Sequence, residues 1–206
     1  MRPEAVGDSR AQREKESSAK MLVEESDTEL LRQVAGGDEA AFALLLKRHQ
    51  DKIYALIYRY VHDSAAAEDL CQDTFFKVWK YAHTFRGQAA VGTWLYRLAV
   101  NTCLNYREKQ QARPRTLPLT ADFQASEERA DDELRAAQRE ALLHQALSRL
   151  PERQRMAVLL ANFSGHSYEE IAQIMEVSLS AVESLLFRAR QNLATHLRPQ
   201  RKEMDR

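Results

Sequence analysis

From Phe42 to Tyr60, the side chains Phe42, Leu45, Leu46, His49, Ile53, Leu56, Ile57 and Tyr60 recur at intervals of three and four residues. That spacing lines one face of a helix but would scatter over both faces of a strand, so an amphipathic helix is expected here. The same period returns in Ala67, Leu70, Cys71, Thr74, Phe75, Val78 and Trp79, and again in Leu95, Leu98, Ala99, Thr102 and Tyr106. No stretch sustains the alternation of a half-buried strand. With only 6 Gly and 5 Pro in 206 residues, turn punctuation is too sparse for a strand-rich fold. The chain is expected to be all-α.

The punctuation that does exist divides it. Residues 1–25 are polar and charge-mixed, and are expected to form a disordered tail. Order begins at Ser26-Asp27-Thr28-Glu29, a capping-box pattern ahead of Leu30, Leu31 and Val34. Gly36-Gly37 stops that helix, Asp38 caps the next, and Asp63-Ser64 starts a third. A loop over Ala82 to Gly92 precedes a fourth helix, from about Thr93 to Lys109. Residues 26–110 therefore read as one helical domain. Pro114 and Pro118 fall in a linker, 111–133, where the charge changes sign. Between Asn101 and Leu119 four bases face one acid, whereas Thr120 to Glu140 carries seven acids and three bases. A second helical domain follows over 134–198, with Leu143, Leu147 and Leu150 as one apolar stripe, and 199–206 as a tail. The expected architecture is two small helical domains joined by a flexible acidic linker.

The second domain contains a recognisable unit. Pro151 stands at a helix start, where its missing N–H costs nothing, and Gly165 ends that helix. Ser167-Tyr168-Glu169-Glu170 is a second capping box, opening a helix of about two turns with Ile171, Ala172 and Met175 inward. It gives out at Glu176-Val177, and Ser178 caps a longer helix through Val182, Leu185, Leu186, Ala189 and Leu193. A short helix, a three-to-four-residue turn and a longer helix make a helix-turn-helix. Many such turns use Gly, and a Glu at positive φ costs about 1 kcal/mol, which leaves a wider turn open. The second helix would present Ser178, Ser180, Ala181, Glu183, Ser184, Phe187 and Arg188 outward, with Arg190 beyond them. In the major groove its N-terminal half meets base edges. Arg188 and Arg190 would contact phosphate or guanine, and Glu183 could accept from a cytosine amino group.

Seven of the sixteen aromatic residues lie between Phe75 and Tyr96. Most fit a core, but Phe85 sits in a loop beside Arg86 and Gly87. It could stack on an unpaired base while the arginine neutralises phosphate. Arg97, Asn101 and Asn105 stand four apart on one polar stripe of the following helix.

These residues carry a resemblance. Phe85-Arg86-Gly87 and the run from Thr93 to Thr102 resemble the promoter-reading segment of the extracytoplasmic-function class of bacterial sigma factors. Ala67 to Phe75 resembles that family's polymerase-binding helix. Leu150 to Arg153, Tyr168 to Ala172 and Phe187 to Arg190 resemble its C-terminal domain. The likeness implies that 26–110 is a region 2 domain and 134–198 a region 4 domain. It further implies that Glu68, Asp69, Gln72 and Asp73 dock on the clamp coiled coil of core RNA polymerase. The Phe85 loop, with Arg86, Gly87, Arg97, Asn101 and Asn105, would hold a base flipped from the −10 element. The helix-turn-helix would read the −35 element of promoter DNA, and the acidic linker would thread into the polymerase. An anti-sigma factor is implied as a further partner. Glu183 and Leu185 depart from the pattern, where many relatives carry Arg or Lys.

Other classes fit poorly. The six histidines stand singly, none beside a second ligand at metal spacing, and there is no Gly-rich phosphate loop or nucleophile elbow. Neither an enzyme, nor a metal site, nor a cofactor is expected. Cys71 and Cys103 make no disulfide framework, and no apolar run approaches the ~18–20 residues of a membrane span. Met1 to Glu25 lacks the apolar stretch of a secretory signal. A cytoplasmic location and no membrane insertion are expected. The rival reading is a stand-alone helix-turn-helix regulator with an N-terminal sensing or dimerisation domain, which would bind a palindromic site without polymerase.

Overall fold

The computed structural model describes residues 26–112 and 141–204. The expected N-terminal tail and most of the acidic linker lie outside the described residues. Every regular element described is helical. In order these are α1 (Asp27–Ala35), α2 (Glu39–Val61), α3 (Ser64–Tyr81), a short 3₁₀ turn (Ala82–Thr84), α4 (Val91–Ala112), α5 (141–148), α6 (Glu152–Asn162), α7 (Tyr168–Met175) and α8 (Leu179–Met204). Four boundaries move from the sequence expectation. Helix α4 begins two residues early and runs on to Ala112, inside the expected linker. Helix α6 ends at Asn162, ahead of Gly165. Helix α8 continues into the expected C-terminal tail.

The helix starts follow their caps. The Ser26 hydroxyl accepts from the Glu29 N–H at 3.2 Å, although the Glu29 carboxylate turns to Arg32 and Gln33. The Asp38 carboxylate accepts from Ala40 and Ala41 at 2.8 and 3.0 Å, and Asp63 accepts from Ala66 at 2.9 Å. Each such cap satisfies N–H groups that the first turn would leave orphaned, and is worth about 1 kcal/mol. Gly37, at φ 90°, makes the αL turn between α1 and α2.

Helices α1 to α4 form the first bundle. Leu30, Leu31, Leu45, Ile53, Ile57, Tyr60, Val78, Leu95 and Ala99 are buried at its centre. Helices α5 to α8 form the second, around Leu147, Leu150, Met156, Leu159, Leu160, Ile171, Ile174, Val182 and Leu186. Burying each large aliphatic side chain contributes roughly 1.5–3 kcal/mol. Leu143 departs from its expected stripe and is 41% exposed.

The two bundles lie against each other. Helix α4 packs on α7 and α2 on α6, and the buried apolar residues of both halves form one cluster. Polar groups fasten the seam. The Tyr60 hydroxyl donates to Glu152 Oε2 at 2.5 Å, and Arg155 Nη1 donates to the Tyr60 carbonyl at 3.0 Å. Arg155 is itself buried and also reaches the Ser148 carbonyl and the Glu152 carboxylate. Beside this, the His62 and His144 rings stack with centroids 3.6 Å apart.

Candidate nucleic-acid interface

The outer face of α3 is polar along one row. Glu68, Asp69, Gln72 and Asp73 are all exposed, as a helix whose opposite face buries Ala67, Leu70, Thr74 and Phe75 requires. The row continues to Phe76, which is 64% exposed and was not among the expected residues. Its signal in the sequence is a large apolar side chain three residues after Asp73 in an otherwise polar row. Asp73 also lines a groove of about 420 Å³ between α3 and α4. Across it, Lys77 Nζ donates to Thr102 Oγ1 at 2.7 Å.

Phe85 follows the 3₁₀ turn and is half-buried, not free on a loop tip. Its ring meets Trp94 edge-on, with centroids 5.7 Å apart and planes at 64°. Arg86 and Gly87 are exposed, and Gly87 takes φ 68°, a conformation that favours a residue without Cβ. Phe85, Arg86, Trp94, Arg97 and Gln173 line one concavity of about 300 Å³. The structure thus brings Phe85, Arg86 and Arg97 together. Asn101 is exposed one turn further along α4, and Asn105 one turn beyond that, in the groove that holds Asp73. The stripe is real, but its far end belongs to a different concavity.

Arg97 has partners that the sequence did not announce. Its Nε donates to the Gln173 carbonyl at 3.1 Å, and its Nη1 lies 3.4 Å from Glu176 Oε1. Both partners come from the second bundle. Tyr96, beside it, is buried with its ring edge-on to His166 at 4.3 Å. Burial pushes the His166 imidazole below its ordinary value, against the opposing pull of Glu170.

Helices α7 and α8 make the helix-turn-helix. The capping box at its start closes in both directions: Glu170 N–H donates to Ser167 Oγ at 3.2 Å, and Ser167 N–H donates to Glu170 Oε2 at 2.8 Å. The backbone N–H of Ser167 holds the Glu170 carboxyl below the usual carboxylate range. Glu176 itself ends α7 in the left-handed region, at φ 54° and ψ 48°, so the turn is tight and not widened. A side chain in that region costs about 1 kcal/mol relative to Gly. Ser178 Oγ then accepts from Ala181 N–H at 3.2 Å and starts α8.

Ser178 is exposed just ahead of α8, as are Ser180, Glu183, Ser184, Phe187, Arg188 and Arg190 along it, and Ala181 is half-buried. Phe187 is 58% exposed, a large apolar group on an otherwise polar face. Arg190 is steered by α7, its Nη2 donating to Tyr168 Oη at 2.9 Å. Leu185 is half-buried against the core, which accounts for its aliphatic side chain. Leu179, 41% exposed at the start of the helix, is a further outward residue that capping logic alone passes over.

Among the described residues no helix is long and apolar enough to cross a membrane, and no three His, Cys, Asp or Glu side chains converge as a metal site requires. Comparison with known proteins gives consistent matches. Residues 45–113 match the family model of sigma-70 region 2, and residues 140–193 that of sigma-70 region 4. The RNA polymerase sigma-H factor of Pseudomonas aeruginosa is 40% identical over 188 residues, which are 87% of this chain and 97% of the relative. The ECF RNA polymerase sigma-E factor of Escherichia coli is 37% identical over 84% of this chain and 95% of its own. Among solved structures, the sigma factor RpoE from Bartonella quintana, in complex with the anti-sigma factor NepR, is 26% identical. It aligns with a TM-score of 0.57 over 76% of this chain and 96% of its own. CnrH in complex with the cytosolic domain of CnrY, 24% identical, shares the fold at a TM-score of 0.64 over 85% of this chain and 99% of its own.

Proposed function

The chain belongs to the sigma-70 family of RNA polymerase sigma factors, in its extracytoplasmic-function class, and on that premise we propose how its surfaces divide promoter recognition. It is a transcription initiation factor that binds core RNA polymerase and directs it to promoter DNA. The observation that carries this is a likeness spanning both regions, in order, over nearly the whole length of a relative.

The polar row of α3, Glu68, Asp69, Gln72 and Asp73, docks on the polymerase. Phe76 extends the row as an apolar anchor, the kind of residue that dominates contact energy when it fills a pocket. The concavity at Phe85 receives a base flipped from the −10 element. Phe85 and Trp94 offer aromatic faces, while Arg86 and Arg97 neutralise phosphate and Asn101 meets a base edge. Asn105 sits further along the same helix and lies closer to the polymerase face. Flipping costs a few kcal/mol of unstacking, so it needs the other contacts of the holoenzyme.

The outward face of α8 reads the −35 element as duplex. Ser178, Ser180 and Ser184 suit backbone and base-edge hydrogen bonds, and Phe187 suits a thymine methyl. Arg188 contacts phosphate or guanine, and Arg190 contacts phosphate. Glu183 sets a preference at one base pair. Residues 26–110 act as the region 2 domain and 134–198 as the region 4 domain, with 111–133 linking them inside the polymerase. The protein works in the cytoplasm, without catalytic chemistry of its own, and an anti-sigma protein is its regulatory partner.

The test is transcription by core polymerase with and without the protein on genomic DNA, with start sites mapped. The reading expects new starts that share an asymmetric two-part element. Tight duplex binding without polymerase, at a palindrome, would instead support a stand-alone regulator.

A further inference from the structure

The turn between α7 and α8 places a glutamate where the backbone favours glycine. Glu176 donates its N–H to the Ala172 carbonyl, a bond that Gly would make equally well. The left-handed strain is therefore not offset by anything in the turn's own backbone. What the side chain adds lies in the other bundle. Its carboxylate is 3.4 Å from Arg97 Nη1, and the Gln173 carbonyl, in the last turn of α7, takes Arg97 Nε at 3.1 Å. A helix C-terminus carries partial negative charge. Together with the carboxylate it offers the guanidinium an anionic socket, chemically close to what a phosphate diester would offer.

The position of this contact matters. Gln173 forms one wall of the concavity that also holds Phe85, Arg86 and Trp94. Next along α4, Tyr96 is buried against His166 from the loop before α7. In the described arrangement, α7 thus covers the side of α4 that the promoter strand would approach, and occupies its arginine.

We propose that Glu176 is an autoinhibitory residue: its carboxylate stands in for a DNA phosphate on Arg97 and holds α7 over the strand-binding concavity. The inference rests on the reading that this concavity takes the −10 strand. It explains why a strained Glu stands in the turn, and why the free chain should engage single-stranded promoter DNA weakly. Parting of the two bundles on the polymerase would free Arg97 for the strand.

The experiment uses the full chain and Glu176→Gly, which removes the carboxylate and the left-handed strain together and so leaves the fold intact. Glu176→Gln removes only the charge. The probe is a fluorescein-labelled single strand from the −10 region of a mapped promoter. The pair is open to solvent on one side, with Glu176 58% exposed and Arg97 half-buried at 30%. Its loss should therefore raise the free protein's affinity by about two- to five-fold, the range of an exposed ion pair. Glu176→Arg, which repels Arg97, should raise it further. Spin labels at exposed Lys80 and Gln191, with Cys71 replaced by Ala, should show a larger separation in the same order. Cys103 is buried with its thiol pushed up to about 12, and will not take label. Unchanged strand affinity in Glu176→Gly and Glu176→Arg would overturn the proposal, as would an unchanged separation. Failure of the sigma-factor reading is distinguishable, because neither the wild-type protein nor Glu176→Gly would then direct core polymerase to any start site.

Discussion

Acid should loosen the seam between the two bundles, through His144. Its ring lies on the His62 ring at 3.6 Å, between α2 and α5. Burial pushes the imidazole down, from 6.5 to about 4, with His62, Arg155 and Arg107 adding repulsion to the charged form. A histidine depressed on folding is neutral in the native state and protonates more readily once released. Its contribution to stability is thus complete above pH 6.5 and is lost as pH falls towards 4. Between pH 7 and pH 5 the full displacement corresponds to about 2 kcal/mol, and the ring is only half-buried, so solvent screening leaves about 1 kcal/mol. The perturbation is His144→Phe, which keeps an aromatic ring on His62 but cannot titrate. The assay is urea unfolding of both proteins at pH 7 and pH 5, read as the difference of differences so that other groups cancel. Wild type should lose about 1 kcal/mol more than His144→Phe. Equal losses in the two proteins would refute the reasoning.

Three further outcomes follow from named contacts. Reversing both Asp69 and Asp73 to Lys should weaken co-purification with core polymerase by roughly tenfold or more, with helical content unchanged, because both side chains are exposed on the outer face of α3. Phe85→Ala and Asn101→Ala should each impair strand opening, measured by permanganate reactivity of −10 thymines, by about 1–3 kcal/mol, with polymerase binding spared. Arg188→Ala should flatten the salt dependence of −35 duplex binding by about one unit of slope if it contacts phosphate, or relax one base pair's discrimination by roughly 1–3 kcal/mol if it contacts guanine.

Much of this was legible in the chain because it is local. Ser26, Asp38, Asp63, Ser167 and Ser178 cap helices from within three residues, and the three-and-four spacing of apolar residues chose each buried face. The exposed row on α3 and the outward face of α8 follow from the same period. What was hidden depends on residues far apart. Tyr60 and Glu152 are 92 positions apart, and Arg97 and Gln173 are 76 apart, so no local pattern joins them. Tyr60 read as a core aromatic and is one, but its hydroxyl is also a bolt between the bundles. Arg97 read as a free base on a polar stripe and instead meets a backbone carbonyl and a carboxylate at the C-terminal end of α7. Leu143 kept the period of its stripe yet lies exposed, since the facing surface is a groove with Tyr58, His62 and Phe163 rather than a closed core. Glu176 is the converse case. The sequence marked it as an anomaly in a turn that favours Gly, and its side chain reaches across to Arg97.

The central claim is that this chain turns core RNA polymerase into a promoter-specific enzyme, and run-off transcription from a mapped two-element promoter tests it most directly. With core polymerase and the protein together, a single defined start should appear downstream of the −10 element, and it should vanish when either element is scrambled. A start that persists without the protein, or no start with it while the protein alone holds the duplex tightly, would contradict the account.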